Sequence, residues 1–147
     1  MPTLAVNKKA RFDYEILDTM EAGLALTGQE VKSIRGGRLN LVGSRVLVRG
    51  GEALLMGAQV APFPQAGPLP GYDPQRTRKL LLHQREIRRL IGKLEEQGLT
   101  VIPISAYTKG PFIKIEIGVA RGKKQYEKRE AIKKRDVQRE IRARMKR

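Results

Sequence analysis

The sequence predicts a mainly β fold with some α: a small, partly closed antiparallel β-barrel with two or three helices packed on its side and a basic C-terminal tail. Three observations lead there. Short apolar-alternating segments recur between glycine and proline turn signals. One segment, residues 82–97, carries a helical repeat instead. The charge changes abruptly after residue 120: residues 1–120 hold 17 basic and 11 acidic side chains, and residues 121–147 hold 13 and 4. The expected organisation is one domain over residues 1–120 and a tail over 121–147.

Along the chain, residues 12–26 read as two short antiparallel strands joined at Asp18-Thr19, with Tyr14 and Ile16 on one parity and Leu24 and Leu26 following. Thr27-Gly-Gln-Glu30 has the spacing of a capping box, so a helix of about two turns runs from there to Gly36-Gly37. Val46 and Val48 before Gly50-Gly51, with Ala53 and Leu55 after it, form a hairpin. Residues 61–71 hold four prolines and read as a surface loop. In residues 82–97, Ile87, Leu90, Ile91 and Leu94 share one helical face, with Arg85, Arg88, Arg89 and Lys93 around it and Gly98 placed to terminate. Residues 101–107 and 112–120 pair about Thr108-Lys-Gly-Pro111, with Ile113, Ile115, Ile117 and Val119 inward and Lys114 and Glu116 outward. Five to seven strands therefore precede residue 121, and closing them into a barrel removes the edges of short strands. The tail has helix-permissive residues but few large apolar ones, so it is expected to be disordered or frayed alone and helical on a polyanion.

A net charge of +15 and a pI near 10.6 point to a polyanionic partner, with nucleic acid first. The absence of cysteine excludes disulfides, thiolate metal sites and cysteine nucleophiles, and a single histidine excludes a two-His metal site. No apolar run reaches the length of a membrane span and the polar first residues do not read as a signal peptide, so the expected location is cytoplasmic, with no membrane partner. No enzyme is expected, and no cofactor or metal. His83 reads as a hydrogen-bonded or RNA-facing residue rather than a general base. Gly118-Val-Ala-Arg-Gly-Lys-Lys124 falls one residue short of a phosphate loop and has Lys124 where Ser or Thr would hold magnesium. Glu95-Glu96 diverge on a helix.

The basic residues remain. Asn7-Lys-Lys-Ala-Arg11, then Lys32 with Arg35 and Arg38, then Arg76-Thr-Arg78-Lys79, and finally the tail each concentrate charge beside flexible backbone able to follow phosphates. Tyr72, Tyr107, Phe112 and Tyr126 interleave with them. Most of these are expected to be core or loop anchors, with Tyr126 left for stacking on bases. On composition alone, a structural ribosomal protein fits equally well.

The clusters occur in a familiar order. Asn7-Lys-Lys-Ala-Arg11 with Tyr14, Glu21-Ala-Gly-Leu24, Gly28-Gln-Glu-Val-Lys-Ser-Ile-Arg35 with Asn40-Leu41 and Ser44, Tyr72-Asp-Pro-Gln-Arg-Thr-Arg-Lys-Leu-Leu-Leu82, and Gly118-Val-Ala-Arg-Gly-Lys-Lys-Gln-Tyr-Glu-Lys-Arg129 span nearly the whole chain. In this the chain resembles the small protein B family, bacterial SsrA-binding proteins that partner transfer-messenger RNA in ribosome rescue. The resemblance implies an oligonucleotide-binding-like barrel on the transfer-RNA-like part of that RNA, the pair mimicking a transfer RNA. It implies an RNA face including Asn7, Lys8, Arg11, Glu21, Lys32, Arg35, Asn40, Leu81 and Lys114. It also implies a tail that becomes helical in the vacant messenger channel and decoding centre of a stalled small subunit. There Arg121, Lys123, Lys124, Lys128, Arg129, Lys133 and Arg135 occupy the basic positions and Tyr126 a stacking position. Through the RNA, elongation factor Tu and alanyl-tRNA synthetase become indirect partners of a monomeric protein.

Overall fold

The computed structural model describes residues 2–67 and 70–123, together with positions 135, 138, 139, 141 and 142. Its elements are β1 (Thr3–Val6), α1 (Lys8–Asp13), β2 (Tyr14–Leu24), α2 (Gly28–Arg35), β3 (Leu39–Asn40), β4 (Arg45–Arg49), β5 (Glu52–Met56), β6 (Gln59–Val60), β7 (Arg78–Leu81), α3 (Gln84–Glu95), β8 (Leu99–Lys109) and β9 (Phe112–Gly122), with a 3-10 turn at Pro64–Ala66. All strand pairings are antiparallel.

Six strands close a circuit in the order β8, β4, β5, β7, β2, β9 and back to β8. One edge of β8 serves β9, while the other is divided between β1, at Val6↔Ser105, and β4, at Val46↔Val101. The small barrel expected from the short strands is therefore present. Its interior holds Leu41, Val46, Leu55, Leu80, Val101, Ile115 and Ile117, and α2 and α3 add Ile34 and Leu90. Ile113, Ile115, Ile117 and Val119 are all buried, as their alternation predicts. A second apolar cluster, Ala10, Ile102 and Ala120 with Tyr14 and Ile16, lies beneath α1. That cover explains why both parities of β9 are buried from Ile117 to Ala120.

Several elements differ from the sequence reading. Residues 12–26 form the end of a helix and one continuous strand, not two strands. Asp18-Thr19 marks a register shift against β9 between Ile16 and Asp18, and the Thr19 N–H donates to Asp18 Oδ1 at 2.9 Å. The turn chemistry was real but produced a bulge, because β9 continues pairing on both sides of it. The helix of residues 82–97 is shorter at both ends, running from Gln84 to Glu95, because His83 is its N-cap and Glu96 its C-cap. β9 continues to Gly122 and the Lys123 N–H donates to Asp13 O at 2.9 Å, so the barrel extends past the boundary expected at residue 120.

One residue of an expected binding cluster, Arg78, is internal, while its neighbours Arg76 and Lys79 keep solvent-accessible side chains. Glu30 closes the capping box with Thr27 and also receives Arg76 at 2.5 Å and Arg78 at 2.6 Å. Arg78 is fully buried and further donates to the carbonyls of Ala58, Arg76 and Pro74. It is thus a structural strut unavailable to phosphates. Burial alone would push the Glu30 carboxyl up, but the Thr27 N–H and the two guanidiniums outweigh it and hold it below the usual range.

Candidate nucleic-acid interface

Glu21, Leu81 and Lys114 come from three strands remote in sequence, and the barrel sets them on one open cleft of about 750 Å³. The register makes this unavoidable: Gly23 of β2 pairs with Leu81 of β7 on one side and with Lys114 of β9 on the other. Glu21 stands two residues before Gly23 on the same face. Leu81 is half exposed, at 53%, because strand alternation buries Leu80 and turns its neighbour outward. Gly23 makes room for it, since a β-carbon there would lie 3.2 Å from Leu81 Cβ. His83 and Gln84, at the start of α3, form the far rim. The His83 N–H donates to Glu86 Oε1 at 2.9 Å, which fixes that end of the helix.

The carboxylate of Glu21 is aimed by its neighbours. The Tyr107 hydroxyl donates to Oε2, and Lys109 Nζ lies 3.2 Å from Oε1. The Tyr107 hydrogen bond, reinforced by Lys109 and Lys114, holds the Glu21 carboxyl below the usual range against a smaller opposing effect of burial. Burial and the same bond push the Tyr107 phenol up. The cleft thus offers an ionised acceptor, an exposed aliphatic surface and an ammonium within one patch, the set needed to accept from base amino groups, pack on an unstacked ring and meet a phosphate. No three His, Asp or Glu side chains gather as a metal site among the described residues. No described helix is long and apolar enough to cross a membrane.

The other expected RNA-facing residues lie elsewhere. Asn7 is buried, at 3% exposure, with its amide nitrogen donating to Leu41 O and Pro103 O and its oxygen capping α1 at the Ala10 N–H. Both amide hydrogens and one lone pair of the oxygen are used inside the protein, so Asn7 holds the basic helix in place. Lys8 and Arg11 are exposed on α1 at the Tyr14 end of β2, about 23 Å along the strand from Glu21. Arg35 donates to Pro111 O at 2.9 Å and so reaches the β8–β9 turn, next to the cleft. Lys32 lies 5.8 Å from the Phe63 ring, and Asn40 Oδ1 accepts from the Val42 N–H at 3.0 Å beside a separate surface depression.

Of the tail positions, Arg121 lies on β9 and pairs with Glu15 at 2.6 Å, and Lys123 Nζ donates to Arg11 O at 3.1 Å. The Arg135 guanidinium stands 5.4 Å from the Phe12 ring centroid. Lys124, Tyr126, Lys128, Arg129 and Lys133 lie outside the described residues. Among the aromatics, Tyr72 anchors a loop through Val60 O at 2.8 Å. Tyr107 is an anchor too, but for Glu21. Counting outward from Gly110-Pro111 sets Tyr107 opposite Lys114, but its partnership with Glu21 needs the β2–β9 register as well. Phe112 departs from expectation, being exposed.

The protein-family model described as SmpB protein matches residues 4–147. An SsrA-binding protein from Gloeobacter violaceus is 52% identical over 144 residues, covering 98% of this chain and 94% of that one. Another, from Acaryochloris marina, is 52% identical over 141 residues, with 96% and 92% covered. A solved structure, "tmRNA-SmpB: a journey to the center of the bacterial ribosome", superposes with a TM-score of 0.70 at 43% identity, covering 90% of this chain and 95% of its own.

Proposed function

The chain belongs to the SmpB protein family, and on that premise we propose that it binds transfer-messenger RNA and delivers it to stalled ribosomes for trans-translation. It acts as a binding protein, one part of a transfer-RNA mimic. The observation that carries this reading is the convergence of Glu21, Leu81 and Lys114 in one cleft beside a barrel of the matching fold. Names given to its relatives agree: they are SsrA-binding proteins, and the solved structure concerns SmpB with transfer-messenger RNA on the ribosome.

In this reading the cleft is the centre of the RNA face. Glu21 accepts from base amino groups, Leu81 packs on an unstacked base and Lys114 and Arg35 neutralise the backbone at its edge. Lys8 and Arg11 lie close to Lys123, where the tail leaves the barrel, and serve the same polyanion as that tail. The tail, residues beyond Lys123, folds into the vacant messenger channel, so that recognition is coupled to vacancy.

A titration of the full chain against transfer-messenger RNA, with excess bulk transfer RNA and at two salt concentrations, tests the proposal. Tight, competitor-resistant binding that Leu81→Ala and Lys114→Ala weaken is expected. Binding erased by the competitor, or indifferent to both substitutions, would mean a general polyanion binder whose specificity does not reside in the cleft.

A further inference from the structure

Phe112 is 64% exposed and belongs to neither apolar cluster of the fold. Single exposed hydrophobics are ordinary on protein surfaces, but this one is held in a defined place. It is the first residue of β9, directly after the two-residue turn Gly110-Pro111, and pairs with Lys109 across the hairpin. The turn is restrained from outside by the Arg35 guanidinium on Pro111 O. Strand alternation puts Phe112 and Lys114 on the same outer face, with Ile113 turned into the core between them. Lys114 Nζ lies 5.6 Å from the Phe112 ring centroid, and the same lysine lines the cleft with Glu21 and Leu81. The aromatic ring therefore continues the cleft outward, and Lys114 joins the two.

We infer that Phe112 is a stacking platform for an unpaired base of the RNA that occupies the Glu21, Leu81 and Lys114 cleft, which rests on the reading of that cleft given above. The surroundings select this occupant. Lys114 stands over the ring, with Lys109 its cross-strand neighbour and Arg35 on the carbonyl of the preceding residue, and an apolar protein patch docking there would have to strip water from these cations without return. A nucleotide presents a π-face to the phenyl ring and a phosphate to the cations at once. The ring is pre-positioned by the hairpin and its clamp, so little freedom is lost when a base settles on it.

The chain contains no tryptophan, so Phe112→Trp supplies a single fluorophore at the proposed contact. On titration with transfer-messenger RNA in excess bulk transfer RNA, this variant is expected to bind as tightly as the unaltered chain. Its emission should be quenched in step with binding. Phe112→Ala and Phe112→Leu should each weaken binding roughly tenfold with thermal unfolding unchanged, since the ring supports no part of the core. Leu separates stacking from mere apolar contact: affinity retained by Leu but lost by Ala would overturn stacking. Unquenched emission from a bound Phe112→Trp chain, or unaltered affinity of Phe112→Ala while Leu81→Ala is weakened, would overturn the inference and leave the cleft intact. Failure of the unaltered chain to prefer this RNA would remove the cleft reading and the inference together.

Discussion

Gly23 and Leu81 face one another across the β2–β7 seam, and a β-carbon on Gly23 would come within 3.2 Å of Leu81 Cβ and 3.4 Å of its Cδ1. The missing side chain is what lets Leu81 lie down along the cleft. Gly23→Ala should press on Leu81 Cβ, which the backbone holds, so that β2 and β7 must part by a few tenths of an ångström, at a stability cost of about 1–3 kcal/mol. RNA affinity should fall by roughly three- to tenfold. Titration alongside thermal unfolding checks both halves. An affinity equal to that of the unaltered chain would show that the position of Leu81 does not matter to the RNA.

The Tyr107 hydroxyl orients Glu21 from the neighbouring hairpin. Tyr107→Phe leaves the barrel filled but frees the carboxylate to rotate. With an exposed acceptor the effect should be about 1 kcal/mol in binding, roughly fivefold. Glu21→Gln measured on the Tyr107→Phe background should then cost less than on the unaltered chain, a coupling that a double-mutant cycle reads directly.

Glu30 ties stability to acid. Its folded carboxyl lies below the ordinary 4.5, so its contribution is fully present above that value and is lost as pH falls through the lower folded one. Glu30→Gln removes the anion from between two guanidiniums and leaves Arg78 buried without its counter-charge, a loss of about 3–5 kcal/mol near neutral pH. Denaturant unfolding at about pH 7 and about pH 3 should show the two chains far apart at the first and closer at the second. Equal separation at both would deny the pair its role.

Much of this architecture was legible because it rests on local rules. Thr27 to Glu30 reads as a capping box, Gly50-Gly51 as a tight turn with both residues at positive φ, and Ile113 to Val119 as an inward stripe. What escaped were relationships set only by closure. Nothing in Arg78 distinguishes it from its exposed neighbour Lys79 except the partner 48 residues away that buries it. Asn7 looks like part of a basic patch until its amide is found bonded to Pro103 O, 96 residues on. Glu21, Leu81 and Lys114 were named by resemblance among nine residues of an expected RNA face, but that they share one cleft was not legible. Tyr107, Gly23 and the exposure of Phe112 needed the register.

Gly92 interrupts α3 on its exposed side, in ordinary helical backbone, and a β-carbon there would meet nothing within 4 Å. Nothing in the fold uses its freedom. Gly92→Ala should therefore stabilise the protein by about 0.8–1 kcal/mol, a rise of a few degrees in Tm for a domain of this size. A fall in Tm would point to a packing role that the open space around the residue denies.

The tail prediction depends on where the barrel ends. Gly122 pairs with Tyr14 and Lys123 is tied to Asp13, so a cut after Ala120 would strip paired residues from β9 and confuse unfolding with loss of function. A cut after Lys123 keeps every described barrel pairing while removing eleven basic and four acidic residues. The shortened chain should unfold at the same temperature and still bind transfer-messenger RNA in the presence of competitor. The slope of log affinity against log salt should change little if the tail serves the ribosome, because each phosphate contact the tail made to this RNA would contribute about 0.7–0.9 to it. Tagging of nascent chains on stalled ribosomes should be abolished. Intact tagging would remove the tail from the rescue step. A marked drop in slope together with lost affinity would move its cations onto the transfer-messenger RNA instead of the messenger channel.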